Sequence, residues 1–211
     1  SVKDAQGDPA YGRTNWRRFA VAVGVPTVAA AGLVIGLANG AFAASLTLSG
    51  QAFKIQADQL VGDGFVQYSQ VTQDVNGKPL PLAISGISHA TLYNLCQSVH
   101  PDKSPVSLTI RAGKDHDHPA VADNLLIGLT DLSGDATFTN IDIGLDASTT
   151  SKAGQKAKTT SHGFAQEADR VVIDGLKQTA YSTQAGTFKL TGLSLKINTD
   201  FSGKNAPDEC Y

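Results

Sequence analysis

The chain has 211 residues, 41% hydrophobic and 17% charged, with a formal net charge of −2 at pH 7. No basic stripe and no aromatic-interleaved Arg/Lys cluster is present, which excludes a phosphate backbone as partner, so no nucleic acid is expected. Phosphate loops and dinucleotide fingerprints are also missing, and no cofactor is expected.

Residues 1–18 are polar, contain Gly and Pro, and lack apolar periodicity. They read as a cytoplasmic tail, with Trp16 beside Arg17 and Arg18 in the aromatic-plus-basic pairing of a membrane interface. Residues 19–44 then run without one ionisable side chain. A helix needs about 20 apolar residues to cross a bilayer core, so this stretch reads as a transmembrane helix. Ala41-Phe42-Ala43 looks like a small-x-small cleavage site. The run is nevertheless longer than the roughly 7–15 apolar residues of a signal peptide, and Ser1 lies upstream, so a retained anchor is expected. The positive-inside bias puts the N-terminus in the cytoplasm and residues 45–211 outside.

Gly24, Gly32, Gly36 and Gly40 fall on one i+4 row, and residues 32–40 form a doubled GxxxG. Small residues on one helix face let two backbones approach closely in lipid. Packing against a second copy or a membrane partner is the expectation. Pro26 introduces a kink early in the span.

From residue 45 onward the pattern changes to two-residue alternation, and no stretch reads as a long amphipathic helix. The outside part is expected to be one mainly β domain. Four ten-residue segments superpose: residues 46–55 (LTLSGQAFKI), 90–99 (ATLYNLCQSV), 136–145 (ATFTNIDIGL) and 188–197 (FKLTGLSLKI). Each has Gly or Asn at its fifth position (Gly50, Asn94, Asn140, Gly192), where the alternation slips by one register. A residue that tolerates φ > 0 at a change of phase is what a β-bulge needs. The last three segments follow apolar strands at 80–87, 124–129 and 170–176, and each pair reads as a hairpin unit of a sandwich, roll or solenoid. Asn76-Gly77 is a turn signal. Residues 147–161, a long polar insertion, read as a mobile or binding loop.

Cys96 and Cys210, the only cysteines, both lie in the outside segment, where a disulfide is permitted. One bridge between them is expected, tying the C-terminal tail to the middle of the domain. His116 and His118, in the run Lys114-Asp115-His116-Asp117-His118, are the best metal-ligand candidates. No third ligand is fixed by spacing, so no metal is expected. Gly86-Ile87-Ser88-His89-Ala90 imitates a nucleophile elbow, but the following residues read as a strand where that motif needs a helix. No catalytic residue is assigned, and the chain is not expected to be an enzyme.

The stretches RTNWRRFAVAVGVP, AFAAS, FKIQADQLVGDGFVQY, LYNLCQSV and LSGDATFTNIDIGLDAS together resemble a family of uncharacterised actinobacterial cell-surface proteins, some of which carry a cholesterol esterase label. The resemblance spans nearly the whole chain. It implies an envelope location and brings no catalytic residue with it. The functional expectation is an anchored structural or assembly subunit in contact with membrane lipid, forming a homo-oligomer or part of a membrane complex. The alternatives are a protein that binds an envelope lipid and, less favoured, an ester hydrolase.

Overall fold

Antiparallel strands account for most of the computed structural model, which describes residues 49–101, 104–154, 157–199 and 208–211. Strand β1 (Phe53–Gln73) turns back into β2 (Pro79–Tyr93), and β3 (Leu95–Val99) and β4 (Val106–Ala112) follow. Next come β5 (Ala120–Thr139), β6 (Asp142–Asp146), β7 (Phe164–Gln184), β8 (Thr187–Lys189) and β9 (Ser194–Thr199). The β1–β2 turn contains the expected Asn76-Gly77, closed by the Asp74 carboxylate accepting from the N–H groups of Asn76 at 2.8 Å and Lys78 at 2.9 Å.

The sheet closes on itself. Ser69 on β1 pairs with Ala83 on β2, Ala83 with Leu129 on β5, Leu129 with Ala180 on β7, and Ala180 with Phe53 on β1 again. The path returns to its first strand far upstream of where it started, so the strands coil steeply around a common core. A solenoid stacks open-ended and never makes this return. That core holds Ile55, Leu60, Phe65, Ile87, Leu92, Leu125, Ile127, Val171, Ile173 and Leu176, all buried.

The expected hairpin units are not hairpins. Residues 80–87 and 90–93 belong to one strand, β2, and β3 continues it in the same register against β1, with Gln59 opposite Tyr93 and Gln56 opposite Cys96. Residues 124–129 and 136–139 likewise share β5, while β8 continues β7 along β5. The Gly-rich break between paired segments marks a bend inside a strand, where the chain does not reverse.

The bends obey one rule. Gly50, Asn94, Asn140 and Gly192, the fifth residues of the four repeated segments, all have positive φ, between 52° and 75°. Across from two of them sits a matching acceptor: Asn94 Nδ2 donates to Asp58 Oδ2 at 3.0 Å, and Asn140 Nδ2 donates to Asp169 Oδ2 at 2.7 Å. The strand ladders skip where such residues meet, at Asp58 opposite Gly175, Gly64 opposite Asp169 and Ser88 opposite Asn124. The skipped positions 58 and 64 on β1 lie six apart, as do 169 and 175 on β7 against β1, while Asn94 follows position 88 and Asn140 follows position 134 by the same interval. They line up as two seams across the sheet. At each seam the ladder breaks where one of the facing residues, such as Gly64, Asn94, Asn124 or Gly175, is left-handed, and core side chains on either side of the break fall three apart instead of two. Ala57 and Leu60, Ile87 and Ala90, Leu92 and Leu95, Ala168 and Val171, and Ile173 and Leu176 all show this spacing in the core.

The polar insertion is no loose loop. A 3-10 turn at Ala147–Thr149, capped by Asp146, begins a strap whose Ala147, Ala153 and Ala157 pack on Val66, Tyr68, Leu82, Ile84, Leu126 and Ala165. The buried Glu167 carboxylate accepts from the N–H groups of Ser151 at 2.7 Å and Lys152 at 3.0 Å. Beneath the strap Gly86 leaves no room for a side chain, since a Cβ there would lie 2.3 Å from that of Ala157. Small residues let the strap lie flat on the sheet, and the sequence showed only its polar upper side.

The predicted membrane run and its Gly24, Gly32, Gly36 and Gly40 lie outside the described residues. Among the described residues no helix is long and apolar enough to cross a membrane.

Candidate functional site

At one rim of the sheet β3, β4 and β9 extend as a flap from the start of β1, in the order β1-β3-β4-β9. Alternation gives the flap two unlike faces. One carries Ser98, Ser107, Thr109 and Asn198, all buried beneath the C-terminal residues Asp208–Tyr211. Ser107 Oγ donates to the Asp208 carbonyl oxygen at 2.8 Å, Asn198 Nδ2 donates to Thr109 Oγ1 at 3.0 Å, and the Cys210 N–H donates to Ser98 Oγ at 3.0 Å. The expected Cys96–Cys210 disulfide fastens this tail across a separation of 114 residues. Lys54 completes the clip, reaching Glu209 at 3.1 Å and the Tyr211 backbone oxygen at 2.8 Å, with its Nζ 5.3 Å from the Tyr211 ring centroid.

The opposite face is apolar and uncovered among the described residues. Leu195 pairs with Ile110 and Ile197 with Leu108, which places these four side chains together. Leu193, Leu195 and Ile197 are 55%, 58% and 64% exposed. Both Leu195 and Ile197 belong to the alternating repeat segment 188–197. The alternation is there, but among the described residues β9 ends the sheet and no second layer lies over it, which local pattern cannot reveal.

The polar candidates do not converge. His116 stacks on Tyr93 with ring centroids 4.3 Å apart, whereas His118 Nδ1 lies 2.8 Å from Asp115 Oδ2. These two interactions turn the imidazoles to different partners, and among the described residues no three His, Cys, Asp or Glu side chains form a metal-binding group. The Asp115 carboxyl is held below its ordinary range by its hydrogen bond with His118 and then by the Asp117 N–H. Ser88 donates to the Lys152 carbonyl oxygen at 3.3 Å under the strap, while the adjacent His89 is exposed and pairs with Asp123 at 2.7 Å. Each side chain is taken by its own partner, so His89 is not placed as a base for Ser88.

Two cavities bear on ligand binding. An enclosed space beside Gln178, Thr183 and Leu92 holds about 10 Å³, enough for about one water. An open groove of about 510 Å³ at the β1–β2 hairpin is lined in part by Val71, Leu82 and Leu129.

No curated protein and no solved structure matches the chain. A protein-family match covers residues 49–211, the tail clip, seams and flap included, and by it the chain belongs to DUF6230, a family of unknown function.

Proposed function

We propose that this chain is a single-pass, membrane-anchored cell-envelope protein whose outward β-domain acts as a structural or assembly subunit, in a homo-oligomer or a larger membrane complex. The observation that carries the reading is the apolar row of Leu195 and Ile197 on the last strand of the sheet with Leu193 just before it, a surface that favours association over solvent. The uncharged run 19–44 supports the anchor by its length, and its glycine row supports helix packing. The Cys96–Cys210 disulfide suits an oxidising exterior. The resemblance to actinobacterial surface proteins favours the same location. The separate partners of Ser88 and His89 favour a non-catalytic role over ester hydrolysis.

A second reading, binding of an envelope lipid, draws on the open groove with Val71, Leu82 and Leu129. The water-sized interior cavity argues against a lipid between the layers.

Short lysine-reactive cross-linking of the full-length protein in its own membranes tests the assembly reading. It predicts a defined band at a multiple of the protomer mass or a reproducible complex with another membrane protein. A monomer band alone, with a co-purifying lipid seen by native mass spectrometry, would replace it with the second reading.

A further inference from the structure

We infer that β9 pairs edge to edge with β9 of a second copy, antiparallel and centred on Leu195. This deepens the assembly reading and rests on it. The two rims of the sheet are built differently. At one rim β6 is interrupted by a bulge between Ile143 and Leu145 and carries Asp142 and Asp146, devices that keep a strand edge from pairing. At the other rim β9 keeps an unbroken register against β4 from Ser194 to Thr199. Its single charge, Lys196, lies 3.7 Å from Asp208. Among the described residues no strand pairs with its outer side, where such a strand presents a regular row of backbone N–H and C=O groups.

The sequence of β9 is also complementary to itself. Opposed residues of an antiparallel pair share a face, so the choice of centre fixes every contact. Centring on Leu195 sets Leu195 against its own copy, Leu193 against Ile197 and Ser194 against Lys196. The apolar row then runs unbroken across the join and the two ammonium groups stand apart. Centring on Lys196 instead opposes two lysines, a destabilising pair. Pairing β9 with β6 of the next copy would propagate into an open chain, and the β6 bulge opposes it. A second copy is therefore the occupant that the charges and the two rims select.

Single cysteines in the full-length protein, oxidised mildly in its membranes, test the register. Opposed Cα atoms of an antiparallel pair lie about 4.5–5.5 Å apart, within disulfide reach. Leu195→Cys should cross-link to its own copy. Leu193→Cys or Ile197→Cys alone should not, because each stands roughly 14 Å from its counterpart, whereas a mixture of the two should. Leu195→Lys should abolish the dimer, while Ile143→Lys at the other rim leaves it intact. Formation of the Cys96–Cys210 bridge in each variant reports that the domain still folds. Equal cross-linking at 193, 195 and 197, preferred cross-linking through Lys196→Cys, or a dimer that survives Leu195→Lys would overturn the inference. If the oligomer survives Leu195→Lys but dissociates on Gly36→Leu, the edge pairing falls and the assembly reading stands. A monomer in every form, bound to no membrane partner, removes both.

Discussion

Asn94 and Asn140 hold the left-handed conformation at the seams, and each donates to an aspartate across the ladder. A β-branched side chain is a genuine outlier at such a φ, and the left-handed region costs an ordinary L-residue about 1–2 kcal/mol. Asn94→Val should therefore destabilise the domain by about 2 kcal/mol in urea unfolding once the Asp58 hydrogen bond is lost as well, and Asn94→Gly, which keeps the conformation, by about 1 kcal/mol. Equal losses in the two variants would mean that backbone conformation is not what Asn94 supplies. Asp146 gives a pH prediction at the same scale. The Ser148 hydroxyl, the Ser148 N–H and His162 together hold its carboxyl down to about 2. A depressed carboxylate pKa gives stability that is present above the unfolded value of 3.8 and lost as pH falls through about 2. Pepsin cleavage within residues 147–161 should rise between pH 4 and pH 2, and Asp146→Asn should flatten that rise. A wild-type profile without a rise would contradict the capping role.

Among the elements, the tail clip has the largest single effect on stability. Closing a loop of about a hundred residues is worth about 4.7 kcal/mol in the chain-entropy model, and the bridge here spans 114. The Cys96→Ala, Cys210→Ala double variant should melt on the order of 10 °C lower, given a shift of about 2–4 °C per kcal/mol for a domain this size. A shift under about 2 °C would show that the polar contacts of Asp208, Glu209 and Tyr211 hold the tail without the bond. The seams were legible in the sequence, because Gly50, Asn94, Asn140 and Gly192 stand where the alternation slips. Their consequence was not, since a Gly or Asn between two apolar runs has the same local signature whether the strand bends or the chain reverses. Only long-range pairing decides, as when β2 and β3 share one register on β1. The strap was missed for a related reason. Ala147, Ala153 and Ala157 follow no strand or helix period, and their burial depends on the shape of the surface beneath them.

For the whole molecule, a ring that closes through β1, β2, β5 and β7 leaves its flap as the place where the sheet can grow. The exposed row on β9 could not be read from sequence, because an alternating strand looks the same with or without a layer above it. His116 and His118 stand close in the sequence without sharing a partner, since Tyr93 and Asp115 take them separately. Assembly through an anchor and a strand rim predicts that the two contacts reinforce one another. Gly36→Leu and Leu195→Lys should each dissociate the oligomer at protein concentrations where the unsubstituted chain stays associated, and Ile143→Lys should not.

The mass of the full-length protein, gently solubilised from its native membrane and compared with Gly36→Leu, tests the assembly claim most directly. A defined multiple of the protomer mass, or a fixed complex with a membrane partner, that falls apart on the substitution is the predicted result. A monomer in both samples would contradict the account and make the run 19–44 a simple tether.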